Sequence, residues 1–184
     1  MPQDLSVSWH LTVMTFLILI FLKASIHKGS DIRRFSGYIA NYSSSLTPYS
    51  LFLAYLLLAY EGTAVVLSLI PSLSVFGNAS LVLLLTVYTL AMLTHLRSGK
   101  DEIDCGCGGP SIVISIRSIG RNVVLWLLSL SLLFTSYEPA TTGIVIVAVI
   151  GGLMCWMAYT LIEQLLQNHD RFLKLKFELN KKDF

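Results

Sequence analysis

The sequence predicts an all-α fold, a polytopic membrane helical bundle, on three observations. The 184 residues are 54% hydrophobic and only 13% charged, with a mean hydropathy of +0.70. A soluble domain carries about twice that charged share. Five apolar runs approach the roughly 20 residues that a helix needs to cross a bilayer. Basic residues gather in alternate connections between those runs. The lipid bilayer is therefore the first expected partner. A net charge of +2 is too small to argue for nucleic acid, and three cysteines are too few for a secreted disulfide scaffold.

The first run, Trp9–Ile26, follows "MPQDLSVSWH". That stretch lacks the basic region of a signal peptide, and no small-residue cleavage site follows the run, so it reads as a retained anchor. Trp9 and His10 read as interface anchors. The longest connection is "IHKGSDIRRFSGYIANYSSSLTP", in which Asp31–Tyr42 suits a short interfacial helix. The second run is Tyr49–Ile70, and Pro71 marks a tight turn into the third, Phe76–Leu96. The fourth run, Ile119–Phe134, is the shortest. Pro110 suits a first helical turn, where its missing N–H costs nothing. The fourth helix therefore starts earlier, spans about 112–134, and carries Arg117 and Arg121 near the membrane surface.

After the "EPATTG" turn comes the fifth run, Thr142–Ile162. Its "GGLMCWMAY" places Gly151 and Gly152 for close helix contact and makes Cys155 a small packing residue. Trp126 and Trp156 lie within spans and read as lipid-contacting or packing residues. Residues 165–184 form a basic, weakly amphipathic tail. No long repeat divides the chain, so residues 1–184 read as a single transmembrane domain with spans at about 9–26, 49–70, 76–96, 112–134 and 142–162.

If the spans alternate, all 13 Lys and Arg residues fall on one side. Lys23, Lys28, Arg33 and Arg34 flank the first long connection. Arg97, Lys100, Arg117 and Arg121 flank the connection between the third and fourth spans. Arg171, Lys174, Lys176, Lys181 and Lys182 lie in the tail. The positive-inside rule assigns that side to the cytoplasm.

The connection between the third and fourth spans holds "DEIDCGCGGP", with Cys105 and Cys107 one residue apart. Such a pair can close into a small strained disulfide, and strain makes a disulfide easier to reduce. Gly106 gives the backbone the freedom this ring needs. A helix starting near Pro110 would favour a thiolate just before its N-terminus, while Asp101, Glu102 and Asp104 oppose it. Three chemistries fit: a redox-active dithiol, a soft-metal site, or a glycine-rich turn with incidental cysteines. Two thiolates are fewer ligands than Zn or Cu sites ordinarily use. His95 is the nearest further ligand, and no metal is expected.

Glu61 lies inside "LFLAYLLLAYEGTAVVLSLI", past the middle of the second span. A carboxyl in hydrocarbon is costly and marks either a functional or a pairing position. His95 and Arg97 end the third span, and Arg121 and Asn122 lie near the start of the fourth. They can form a polar collar at the base of the cysteine connection, or simply reach the interface from helix ends.

The order of these features resembles the methylamine utilisation protein MauE family, within the wider DoxX-like group. The resemblance rests on the internal "YEG", on "HLRSGK", and on "DCGCGG" followed, fourteen residues after Cys107, by "RN". It covers about residues 10–135. The layout is also similar to vitamin K epoxide reductase, which implies a four-helix core plus a fifth transmembrane helix.

The resemblance implies a thiol-disulfide redox protein of the bacterial inner membrane. It would support disulfide formation and maturation of the methylamine dehydrogenase small subunit. It would work with a thioredoxin-like, membrane-anchored partner of the MauD type and pass electrons to a quinone. It makes Cys105 and Cys107 the redox pair, and it places Glu61, Arg121 and Asn122 at family positions with no assigned role. It also puts the cysteine connection in the periplasm, against the charge distribution.

Three departures stand out. An aromatic residue often follows "CGC" in the family. The epoxide reductase pair is spaced by two residues, and here by one. This chain also has no second cysteine pair in its first connection, so a partner would have to supply one. The alternatives are a membrane scaffold that docks the thioredoxin-like partner without catalysis, and a soft-metal carrier.

Overall fold

The computed structural model describes residues 2–42, 44–97, 116–135 and 140–182. Among them the chain forms six α-helices and no strand: α1 (Pro2–Ser30), α2 (Ile32–Tyr42), α3 (Ser50–Leu69), α4 (Ser74–Arg97), α5 (Ile116–Ser131) and α6 (Thr142–Lys182). Four stretches are long and apolar enough to cross a membrane: Asp4–Ser30, Ser45–Leu69, Pro71–Thr94 and Thr142–His169.

Helix α1 has 29 residues, about 43 Å of helix at 1.5 Å per residue. It begins earlier and ends later than the apolar run, because nothing between Pro2 and Lys28 breaks it. It stops at Gly29-Ser30, where the Ser30 hydroxyl turns back to the Ile26 carbonyl (2.7 Å). Asp31 then caps α2, its Oδ1 accepting from the Arg34 N–H at 3.0 Å. Helix α2 is the short helix expected over Asp31–Tyr42. It buries Phe35 and Ile39 around Ala54 of α3 and leaves Arg33 and Arg34 exposed.

The α3–α4 hairpin is fixed by Pro71. Ile70 before it is extended (φ −91°, ψ 115°), as a residue preceding proline prefers, and Pro71–Leu73 make one 3-10 turn. The helices then meet at Gly77, where a Cβ would lie 2.2 Å from the Ser68 backbone nitrogen. Only glycine permits that approach. Helix α5 ends at Ser131, three residues before the end of the apolar run. Leu132, Leu133 and Phe134 donate to carbonyls three residues back. The Ser131 hydroxyl takes the Leu128 carbonyl (2.7 Å), competing with the helical ladder.

Side-chain pairs set the directions. Asn122 meets Met92 and Trp126 meets Thr86, so α5 runs antiparallel to α4. Gly152 packs on Thr12 and Thr15, and Glu163 reaches Lys23, so α6 runs parallel to α1. The spans therefore alternate. The ends that carry Ser30, Arg97, Ile116 and the extension of α6 lie together. Helices α1, α3, α4 and α5 share one core, with Leu17, Ala64, Leu84 and Leu125 at its centre. Helix α6 lies along α1 and leaves most of its apolar surface exposed. This is the expected four-helix core with α6 outside it; α5, described over Ile116–Ser131, is not among the four stretches long and apolar enough to span.

Three expectations change. The fifth apolar helix outlasts the run expected to end at Ile162, since its membrane-compatible stretch reaches His169 and α6 continues through the basic extension to Lys182. His10 is not an interface anchor: it is buried, and its Nδ1 lies 2.7 Å from the Thr135 hydroxyl. Cys155 is not a packing residue. It is exposed, while Gly152 beside it makes the close contact, since a Cβ there would lie 2.7 Å from Thr15 Cβ.

Candidate functional site

The polar residues of the spans converge at one end of the bundle. Glu61 on α3 is fully buried, and its Oε2 accepts from Lys28 Nζ of α1 at 2.8 Å. The lysine is 3% exposed. It also donates to the Tyr88 hydroxyl oxygen of α4 at 3.1 Å. Its ammonium sits 4.5 Å from the Tyr88 ring centroid and 5.5 Å from that of Phe35, within cation–π range. Two buried charges are tolerated here because each offsets the other's desolvation, and the aromatic faces replace water around the ammonium.

The local sequence explains how a lysine near a helix end reaches inward. Helical side chains lean toward the N-terminus. Helix α1 runs toward this end, so the Lys28 stem points back into the bundle. Ser25, one turn earlier, reaches toward the same carboxylate. Neither its hydroxyl nor Glu61 Oε1 completes a hydrogen bond of good geometry.

A second ionic group lies beside the first. Arg121 of α5 pairs with Glu163 of α6, and Lys23 of α1 lies 3.8 Å from the other oxygen of the same carboxylate. Asn122 is buried, and its amide points at the Met92 sulfur at 3.6 Å. Both groups face one cleft of about 50 Å³. Lys28, Glu61 and Asn122, all buried, line it together with the half-buried Tyr88, Lys23, Arg121 and Glu163. Ile20, Phe21, Leu85 and Leu125 form apolar walls.

Three of the residues singled out from sequence, Glu61, Arg121 and Asn122, are thus brought together. His95 stands near the end of α4, and its side chain lies outside the described residues. Cys105, Gly106 and Cys107 lie outside them too. The described chain leaves α4 at Arg97 and resumes at Ile116, so the cysteine segment is tethered at both ends to the end of the bundle that holds the cleft. Lys28, Tyr88, Lys23 and Glu163 were not picked out as site residues. The signal for Lys28 was Glu61 itself, because a carboxyl inside a span requires a cation within reach.

The fold and site define a class: a polytopic helical membrane protein with a buried ionic cleft at one end of its core. Residues 7–135 match the family described as methylamine utilisation protein MauE. The chain belongs to that family. It is 29% identical over 128 residues to the methylamine utilization protein MauE of Paracoccus denitrificans, covering 68% of each chain. It is 26% identical over 154 residues to that of Paracoccus versutus, covering 82% of this chain and 83% of the relative. No solved structure matches. Membership supports a role in the methylamine utilisation system.

Proposed function

We propose that the protein is a membrane thiol-disulfide oxidoreductase that acts in maturation of the methylamine dehydrogenase small subunit, with Cys105 and Cys107 as its redox pair. The observation that supports this reading is where the described chain stops and resumes around the cysteine motif: Arg97 and Ile116, which flank Cys105 and Cys107 in sequence, both lie on the end of the bundle that holds the ionic cleft. A thiolate of a thioredoxin-like partner attacks the Cys105–Cys107 disulfide and forms a mixed disulfide. The partner's second thiol then displaces it. The partner leaves oxidised, and Cys105 and Cys107 are left as a dithiol. Reoxidation requires a two-electron acceptor soluble in the membrane, and a quinone supplies that chemistry.

The chain's own residues support the step. Arg97 and Arg117 flank the segment in sequence, and their charge would offset that of Asp101, Glu102 and Asp104, which disfavours a thiolate. Five helices contribute residues to the cleft. A periplasmic placement agrees with the oxidative role. The Lys and Arg distribution favours the opposite side, although Lys28, Lys23 and Arg121 are engaged in ion pairs.

The test is maturation of the dehydrogenase small subunit in cells carrying Cys105→Ser and Cys107→Ser together. Loss of correctly disulfide-bonded subunit, with the variant still in the membrane at normal level, is the expected result. Normal maturation would sink the redox reading and favour a scaffold that docks the partner.

A further inference from the structure

The cleft holds more positive charge than negative. Lys23, Lys28 and Arg121 line it, against the carboxylates of Glu61 and Glu163. Glu61 holds Lys28 at 2.8 Å, and Glu163 holds Arg121. Lys23 only shares the second carboxylate, at 3.8 Å, and its side chain is 39% exposed. Among the residues that line the cleft, Lys23 is therefore the surplus cation.

Its depth makes that surplus costly. The apolar stretch of α1 runs on from Lys23 to Ser30, about 10 Å further at 1.5 Å per residue. The apolar stretch of α6 runs past Glu163 to His169. The 27 residues of the α1 stretch make about 40 Å of helix, the thickness of a bilayer with its headgroup layers. Lys23 and Glu163 thus lie just inside the headgroup layer, where a partly exposed surplus charge is unfavourable.

The way into the cleft decides which anion offsets it. Helices α5 and α6 each pack on α1 and have no extended contact with each other. The Arg121–Glu163 pair crosses the gap between them. At this depth the gap opens to lipid, and toward the membrane centre the cleft walls are the apolar Ile20, Phe21 and Leu125. A water-soluble anion has to leave water to reach Lys23. A lipid phosphodiester already sits at nearly the same depth, carries the single negative charge that balances the site, and brings apolar chains for the gap. The cleft itself, about 50 Å³, admits only a few atoms, so the body of the lipid lies outside it.

We infer that Lys23 and Arg121 hold the phosphodiester of an anionic phospholipid at the gap between α5 and α6, with its acyl chains lying along that gap. Basic pockets between membrane helices recognise lipid headgroups in this way. A headgroup with an ammonium of its own is disfavoured, because the site is already net positive. The bound lipid seals the side of the cleft that α5 and α6 leave open. The site involves neither cysteine, so it stands whether or not the redox reading does.

The test uses the full chain purified in a neutral detergent and stripped of lipid, with retained lipid counted by native mass spectrometry. Dioleoyl phosphatidylglycerol is the probe, compared with dioleoyl phosphatidylcholine and with glycerol phosphate. A single tightly retained phosphatidylglycerol per chain is expected, with phosphatidylcholine held more weakly. Glycerol phosphate, which has the anion but no chains, should not displace the lipid. Lys23→Gln should weaken retention of phosphatidylglycerol about fivefold, the order of one lysine at a membrane surface, and bring it near that of phosphatidylcholine. Arg33→Gln replaces an exposed arginine of α2 outside the cleft and should change nothing. If Lys23→Gln does not fold, the comparison of the two lipids on the natural protein decides alone. Equal retention of both lipids, or no retained phosphatidylglycerol, would overturn the inference. Displacement by glycerol phosphate would do the same, because it means a site for soluble anions. An Arg33→Gln variant as impaired as Lys23→Gln would also overturn it, because it means a general attraction to the basic surface.

Discussion

Lys28 and Glu61 are each tolerable only because of the other. Breaking a buried pair from one side leaves an uncompensated charge, at a cost of about 3–5 kcal/mol. Lys28→Met and Glu61→Leu should each lower the thermal unfolding temperature in detergent substantially. The double variant should recover most of the loss, because no charge is left buried. A double variant as unstable as the sum of the singles would show that the two side chains are not coupled. Tyr88→Phe removes only the hydroxyl that meets Lys28 at 3.1 Å. It should cost about 1–2 kcal/mol in the same assay. Glu61 was legible in the sequence because a charge in an apolar run has no cheap explanation. Lys28 was not, since it stands where a loop-flanking basic residue is expected. Only the length of α1 and the backward lean of helical side chains carry it inward. Tyr88 gave no signal, because tyrosine in a span is ordinary.

Close helix contacts hold the elements in register. Gly152 of α6 lies on Thr12 and Thr15 of α1, and a Cβ there would come within 2.9 Å of the Thr12 carbonyl oxygen. Gly77 of α4 is tighter still against the Ser68 backbone. Gly77→Ala should therefore destabilise more than Gly152→Ala, for which overpacking costs about 1–3 kcal/mol. Unfolding midpoints of the two variants check the order. Equal effects would mean that α3 and α4 separate without penalty. At this scale the sequence was informative where chemistry was local. Gly151-Gly152, Pro71 and the stretch Asp31–Tyr42 each signalled what the structure has. It misled where tertiary context decides. Hydropathy ends at Ile162, but nothing in the next twenty residues breaks a helix, so α6 runs on to Lys182. His10 lies near the start of a span yet is buried, because Thr135 provides a partner.

The whole molecule is an alternating bundle in which one end gathers the ion pairs of the described residues. The ionic cleft and the chain ends at Arg97 and Ile116 lie there, and the opposite end carries the 3-10 turn at Pro71–Leu73. The membrane bundle was legible from composition, and its family from motifs. The cleft was not, because it assembles from five helices whose polar residues are scattered singly through apolar sequence. The cysteine motif argues for the redox role, and the basic residues argue about its side of the membrane. One measurement meets both.

That measurement is thiol labelling in intact cells with a membrane-impermeant maleimide, on a Cys155→Ser background so that Cys105 and Cys107 are the only targets. Cys155 is exposed on α6, so its replacement should leave the fold unchanged. Labelling that occurs only after mild reduction is the predicted result, and it means an outward-facing Cys105–Cys107 disulfide. Labelling that needs permeabilised cells would place the pair in the cytoplasm and contradict the oxidative maturation role.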